Sequence, residues 1–142
     1  MSVAEHKRAV AEYFAAIGRG DREAMRRLVA DDLVWVVPSS APAPFGGEHR
    51  GAERVIGRML GAVAEAFLPG TQQTELTALV GEGELVMAEA HMRARAAHGE
   101  YDNWYCFVVR FRGGRIAEIR EHVDTIAAAR FFAPAAGGGA AK

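Results

Sequence analysis

The apolar residues of this chain change their spacing once, at Pro69-Gly70, and that change fixes the order of elements that any fold must accommodate. Before it the spacing is helical. Ser2 and Glu5 have the form of a capping box, and Val3, Val10, Phe14 and Ile17 then make one buried stripe. Gly18 and Gly20 end that helix, and Asp21 caps a second helix carrying Ala24, Met25, Leu28 and Val29. Leu33 to Val37 reads as a short strand stopped by Pro38, and the prolines and glycines from Pro38 to Gly51 read as a loop. A third helix carries Val55, Ile56, Met59, Leu60, Val63 and Phe67. After Pro69-Gly70 the pattern becomes that of strands over 72–81, 84–97, 102–112 and 115–124, with Gly113-Gly114 as a two-residue hairpin signal.

Helix, helix, strand, helix and then a meander of long strands specifies an α+β fold. The expected architecture is a cone-shaped roll: a curved antiparallel or mixed sheet with the N-terminal helices packed on its concave face. Such a concavity suits a small ligand. Residues 1–133 read as a single domain, and 134–142, rich in glycine and alanine, as a flexible low-complexity tail.

Charge narrows the partners. Lys plus Arg number 17 and Asp plus Glu 18, for a net charge of -1, which argues against a nucleic-acid or anionic-membrane surface. No apolar run approaches the ~18 residues of a membrane span. A single cysteine, Cys106, excludes an internal disulfide and fits a cytoplasmic setting. The five histidines show no paired ligand spacing, and no glycine loop follows the strand–loop–helix rule, so neither a metal nor a dinucleotide cofactor is expected.

Candidate chemistry lies on the strands. Glu89, His91, Arg93 and Arg95 alternate with Ala88, Ala90, Met92 and Ala94, so period 2 puts the polar set on one face. That face is either solvated or the wet interior of a pocket. Tyr101, Asn103, Tyr105 and Phe107 share another face, mixing hydrogen-bonding groups with aromatic surface. Asn103 and Tyr105 are suited to orienting a substrate oxygen, and Trp35, Tyr13, Glu121 and Arg93 complete the candidate binding set. Asp124 reads two ways: as a general acid or base with His91 or Glu89 as counterpart, or as the N-cap of a helix over Ile126–Phe132. Trp104, Cys106 and Val108 form an apolar stripe opposite Tyr105, Phe107 and Val109, so both faces of that strand need cover. A homodimer is expected.

Three stretches carry a family likeness. They are the opening helices running into Leu28-Val-Ala-Asp-Asp-Leu-Val-Trp35, Gly51 opening the third helix, and Tyr101-x-Asn103-x-Tyr105 followed by Gly114 to Thr125. They resemble the SnoaL-like, ketosteroid-isomerase-related proteins of the nuclear transport factor 2-like superfamily. The resemblance implies a conical pocket for a small hydrophobic molecule, and pairing of subunits through the sheet. It also implies cofactor-free acid–base chemistry of isomerase, polyketide-cyclase or epoxide-hydrolase type, or binding without turnover. Position by position the likeness is partial. The isomerases' general-base aspartate precedes the proline that ends the first strand, where this chain has Val37 before Pro38. Their protonated oxyanion-hole aspartate falls at Phe107. Asp124 matches the water-activating aspartate of epoxide-hydrolase relatives, but no Arg-x-Asp pair accompanies it on the strand bearing Arg93. His91 and Asp124 could imitate the acid–base pair of the cyclases.

Overall fold

A computed structural model describes residues 1–132; the tail expected over 134–142 lies outside the described residues. Helix α1 (Val3–Arg19) begins in the capping box, with Glu5 N–H donating to Ser2 Oγ and Ser2 N–H to Glu5 Oε1. It ends at Gly20, whose φ of 68° is the left-handed conformation that a helix C-terminus commonly needs. Asp21 caps α2 (Arg22–Leu28) by accepting from Ala24 N–H. Strand β1 (Val29–Val37) follows without a break, so Val29 opens a strand rather than closing a helix.

The proline-rich stretch hides a strand. β2 (Gly47–Arg50) pairs antiparallel with the end of β1, bringing Trp35 opposite His49. A π-helical segment, Arg54–Met59, then runs into α3 (Leu60–Glu65). Its wider turn places Val55, Ile56 and Met59 together in the core. β3 (Gln73–Glu82), β4 (Leu85–Ala96), β5 (Gly99–Arg112) and β6 (Arg115–Val123) form the meander, and α4 (Thr125–Phe132) closes the described chain.

These strands make one curved, unclosed six-stranded mixed sheet in the order β2-β1-β6-β5-β4-β3. β1 lies parallel to β6, and every other pairing is antiparallel. The α1 helix packs across β3 and β4 on the inner face. Alternation then sorts side chains by face. Val86, Ala88, Ala90, Met92 and Ala94 point inward from β4, and Tyr101, Asn103, Phe107, Val109 and Phe111 from β5. Val86, Ala88, Ala90, Phe107, Val109 and Phe111 meet Val10, Tyr13, Phe14, Leu33, Trp35 and Val55 in the main core, while Met92, Ala94 and Tyr101 join Phe67 and Phe131 in a second cluster. Each such side chain contributes on the order of 1.5–3 kcal/mol by leaving water.

A bulge in β6 sets the phase of the site. Phe111 pairs with Ile116 but Arg110 with Glu118, so Ala117 is the extra residue. Beyond it Ile119 faces inward opposite Val109, and Glu121 faces inward opposite Phe107, while His122 points outward opposite Cys106.

Candidate functional site

A cavity of about 90 Å³ lies between the helices and the concave face of the sheet. Its deep wall is Phe14 from α1, Trp35 from β1, Met59 from the π-helical segment and Phe107 from β5, all buried. Its rim is the partly exposed set Phe45, Val63, Gln72 and Phe132, from the β1–β2 loop, α3, the approach to β3 and the end of α4. Phe45 and Phe132 lie against each other there, with ring centroids 5.0 Å apart. The carbonyl of Phe45 is tied to His49 Nε2 at 2.6 Å, and the carbonyl of Phe131 to His98 Nε2 at 3.1 Å. Both rim segments are therefore pinned by a histidine.

Among the described residues Glu121 is the one charged side chain lining this cavity. Its Oε1 accepts from Trp35 Nε1 at 3.1 Å. Desolvation by the surrounding apolar side chains raises its pKa from an ordinary 4.5 to about 7, and the indole hydrogen bond opposes that rise only in part. A carboxyl poised there holds both protonation states near neutral pH, which is the requirement for moving a proton in either direction.

Beside it runs a chain of hydrogen bonds. Asn103 Nδ2 donates to Tyr101 Oη at 2.8 Å, and Tyr101 Oη lies 2.6 Å from Tyr105 Oη. Tyr105 lines the cavity and also lies near the Glu121 charge. Burial pushes both phenols above the usual tyrosine range, so they stay protonated and act as hydrogen-bond donors. Asn103 is buried and also donates to the Asp124 carbonyl at 3.1 Å, which ties the network to the start of α4. Asn103 thus supports the tyrosines from behind the cavity wall.

The structure separates the other expected site residues. Glu89, His91 and Arg93 point outward from β4, because Ala90 and Met92, their neighbours in the alternation, are the ones packed inward. There Glu89 accepts from the Thr77 hydroxyl at 2.8 Å, and His91 Nε2 lies 2.6 Å from Asp102 Oδ1. His91 stacks on Trp104 at 4.2 Å with an interplanar angle of 1°. Neither Glu89 nor His91 can act as counterpart to a group in the cavity, and Arg93 cannot contact a ligand there. Asp124 is exposed and spends its Oδ1 on Ile126 and Ala127 N–H, at 3.0 and 3.1 Å. Of its two readings the helix cap is the one present, and the inward carboxylate is Glu121. Tyr13 is fully buried in the core, 6.3 Å from the Trp35 ring, and its hydroxyl finds no partner among the described residues.

Of the expected set, the cavity gathers Trp35, Tyr105 and Glu121. It adds Phe14, Met59, Gln72, Thr74 and Phe132, which the sequence reading did not single out for a site. Phe14 and Met59 were visible as core positions, but an apolar stripe does not show which of its members border empty space. The acids expected of ketosteroid isomerases are replaced by Val37 and Phe107, and both line the cavity as apolar wall.

Known proteins of the same shape can now be compared. Bal32a, from a soil-derived mobile gene cassette, superposes with a TM-score of 0.83 at 23% identity, over 92% of this chain and 98% of that one. A nuclear transport factor 2-like protein of Burkholderia xenovorans LB400 gives 0.72 at 28% identity, over 92% and 98%. TerC, co-crystallised with polyporic acid, gives 0.79 at 17% identity, over 89% and 97%. No curated protein sequence matches the chain. The SnoaL-like domain model matches residues 10–119, and with that match the chain belongs to the SnoaL-like family of the nuclear transport factor 2-like superfamily.

Proposed function

We propose that the protein binds a small hydrophobic molecule in the cone and transforms it by cofactor-free proton transfer, with Glu121 as the acid–base group. The observation that carries this reading is a lone carboxyl on an otherwise aromatic and aliphatic wall, with its pKa raised to about 7. Trp35 orients that carboxyl, and Tyr105, backed by Tyr101 and Asn103, supplies a donor to a substrate oxygen. Isomerisation, cyclisation and epoxide opening all need such a pair. TerC, which shares the fold, was co-crystallised with a small organic molecule, polyporic acid, and this supports a small-molecule role for the fold.

The test is native mass spectrometry of the purified protein, followed by a thermal-shift panel of small ketones, epoxides and terpenoids. Turnover of the stabilising compound is then compared with that of Glu121→Gln. Retained binding with turnover reduced by roughly 10²-fold or more supports the proposal. Stabilisation without turnover by the wild-type protein supports a second reading, binding alone. That reading is favoured by one observation: with Asp124 committed to the cap, the cavity holds, among the described residues, one carboxyl and no second charged acid–base group.

Two further parts belong to this proposal. The protein works in the cytoplasm, a placement supported by its single unpaired Cys106. It also pairs with a second copy of itself through the outer face of the sheet. Along β5 that face reads Asp102, Trp104, Cys106, Val108, Arg110, Arg112, acidic at one end, apolar in the middle and basic at the other. Two copies related by a two-fold axis with strands reversed bring acidic against basic ends and Trp104 into the apolar middle.

A further inference from the structure

Among the described residues the cavity lining carries six aromatic side chains and one carboxylate, but no lysine, arginine or histidine. Chemistry of that kind selects ligands by charge as well as by shape. An anionic ligand would meet Glu121 with no cation to offset it, and a neutral one would leave the carboxyl without a counter-charge. A ligand bearing an ammonium group supplies the missing charge and meets the electron-rich faces of aromatic rings. We propose that the cone is a selective site for small cationic molecules, an alkyl- or aryl-ammonium group paired with Glu121 and surrounded by Phe14, Trp35, Tyr105 and Phe107.

This rests on the reading of the cone as a ligand site, and it replaces "hydrophobic" by "hydrophobic and positively charged". Size agrees with it. The cavity of about 90 Å³ is below the ~150 Å³ cavity that accommodates benzene, so it takes a primary ammonium head, with the body of the ligand at the partly exposed rim of Phe45, Val63, Gln72 and Phe132. The groups facing Glu121 support the same charge preference. From β1 it meets the Trp35 N–H, and from β5 the protonated Tyr105, with Tyr101 behind. Phe14 from α1 and Met59 from the π-helical segment line the same cavity and carry no charge. Among the described residues no protein cation lines the cavity beside this carboxylate.

Methylammonium and methanol have nearly the same size and differ in charge, which makes them the probes of choice. Binding is measured by calorimetry at pH 5.5 and pH 8 with the full chain, and benzylamine against benzyl alcohol repeats the comparison with a ring attached. The cation is expected to bind roughly tenfold or more tightly than the alcohol at pH 8. Its affinity should fall at pH 5.5, where Glu121 is protonated, and below pH 7 binding should release a proton into the buffer. Glu121→Gln should remove the pH dependence of the cation's affinity and most of its advantage over the alcohol. Alcohol binding as tight as that of the cation at pH 8 overturns the inference while leaving a neutral-ligand pocket standing. Absence of binding by all four probes overturns both. The wild-type comparison decides the matter even if Glu121→Gln folds poorly.

Discussion

A carboxyl group surrounded by Phe14, Trp35, Met59 and Phe107 is held closer to its neutral form than it would be in water, and this has a consequence for stability. The raised pKa means that the folded protein keeps the proton on Glu121 over a range in which the unfolded chain has already lost it. Stability from this group is complete below about pH 4.5, and it is lost as pH rises toward about 7. The difference of the two values corresponds to roughly 3 kcal/mol. Glu121→Gln keeps an acceptor for the Trp35 indole and has no proton to lose. Its melting temperature relative to wild type should therefore rise steadily between pH 5 and pH 8 and then level off, as followed by calorimetric scans. A constant difference across that range would contradict the assigned burial. Glu121 was legible as a binding candidate, whereas its place as the inward carboxyl was not. Alternation along 115–124 gives two possible phases, and the bulge at Ala117 chooses between them. A bulge is a backbone event with no side-chain signature in Arg-Ile-Ala-Glu-Ile.

At the scale of elements, α4 matters because it carries Phe131 and Phe132 to the rim and to the second apolar cluster. Its start depends on Asp124, which holds two of the free N–H groups of the first turn. Asp124→Ala should cost about 1 kcal/mol by chemical denaturation and loosen Phe132, while Asp124→Asn, which retains a capping oxygen, should cost a few tenths. Equal large losses of ligand affinity with no loss of stability in both variants would instead return Asp124 to the site. The helices and the long strands were readable because their apolar spacing is long and regular. β2 was not, since four residues after a run of prolines and glycines carry no period of their own and are ordered by pairing with β1. The π-helical turn was also invisible, because Val55, Ile56 and Met59 fit an ordinary helix equally well.

For the molecule as a whole, the two faces of the sheet have different tasks. The inner face builds the core and the cavity, and along β5 it is the face on which the sequence pattern groups Tyr101, Asn103, Tyr105 and Phe107. The polar row of β4 went the other way. Period 2 groups Glu89, His91 and Arg93 but does not say which face is inside, and the small Ala88, Ala90 and Ala94 were the ones that admitted α1 and the core. On the outer face Trp104 is 51% exposed and Met87 42% exposed in the single chain. An exposed tryptophan at the centre of an apolar strip is the kind of residue that dominates an interface. Sedimentation equilibrium should find a dimer, and Trp104→Arg should shift it to monomer with the fold intact by circular dichroism. A wild-type protein that stays monomeric at high concentration would remove the proposed pairing.

The acid–base and cation-binding readings of the cone both depend on a desolvated carboxyl at Glu121. Direct titration of that group by carbon-detected NMR, with assignment from the Glu121→Gln spectrum, tests it without any ligand or assay. The account predicts a midpoint near pH 7, well apart from the other glutamates. A midpoint near 4.5 would mean that water reaches the carboxyl freely, and the cone would lose its acid–base group.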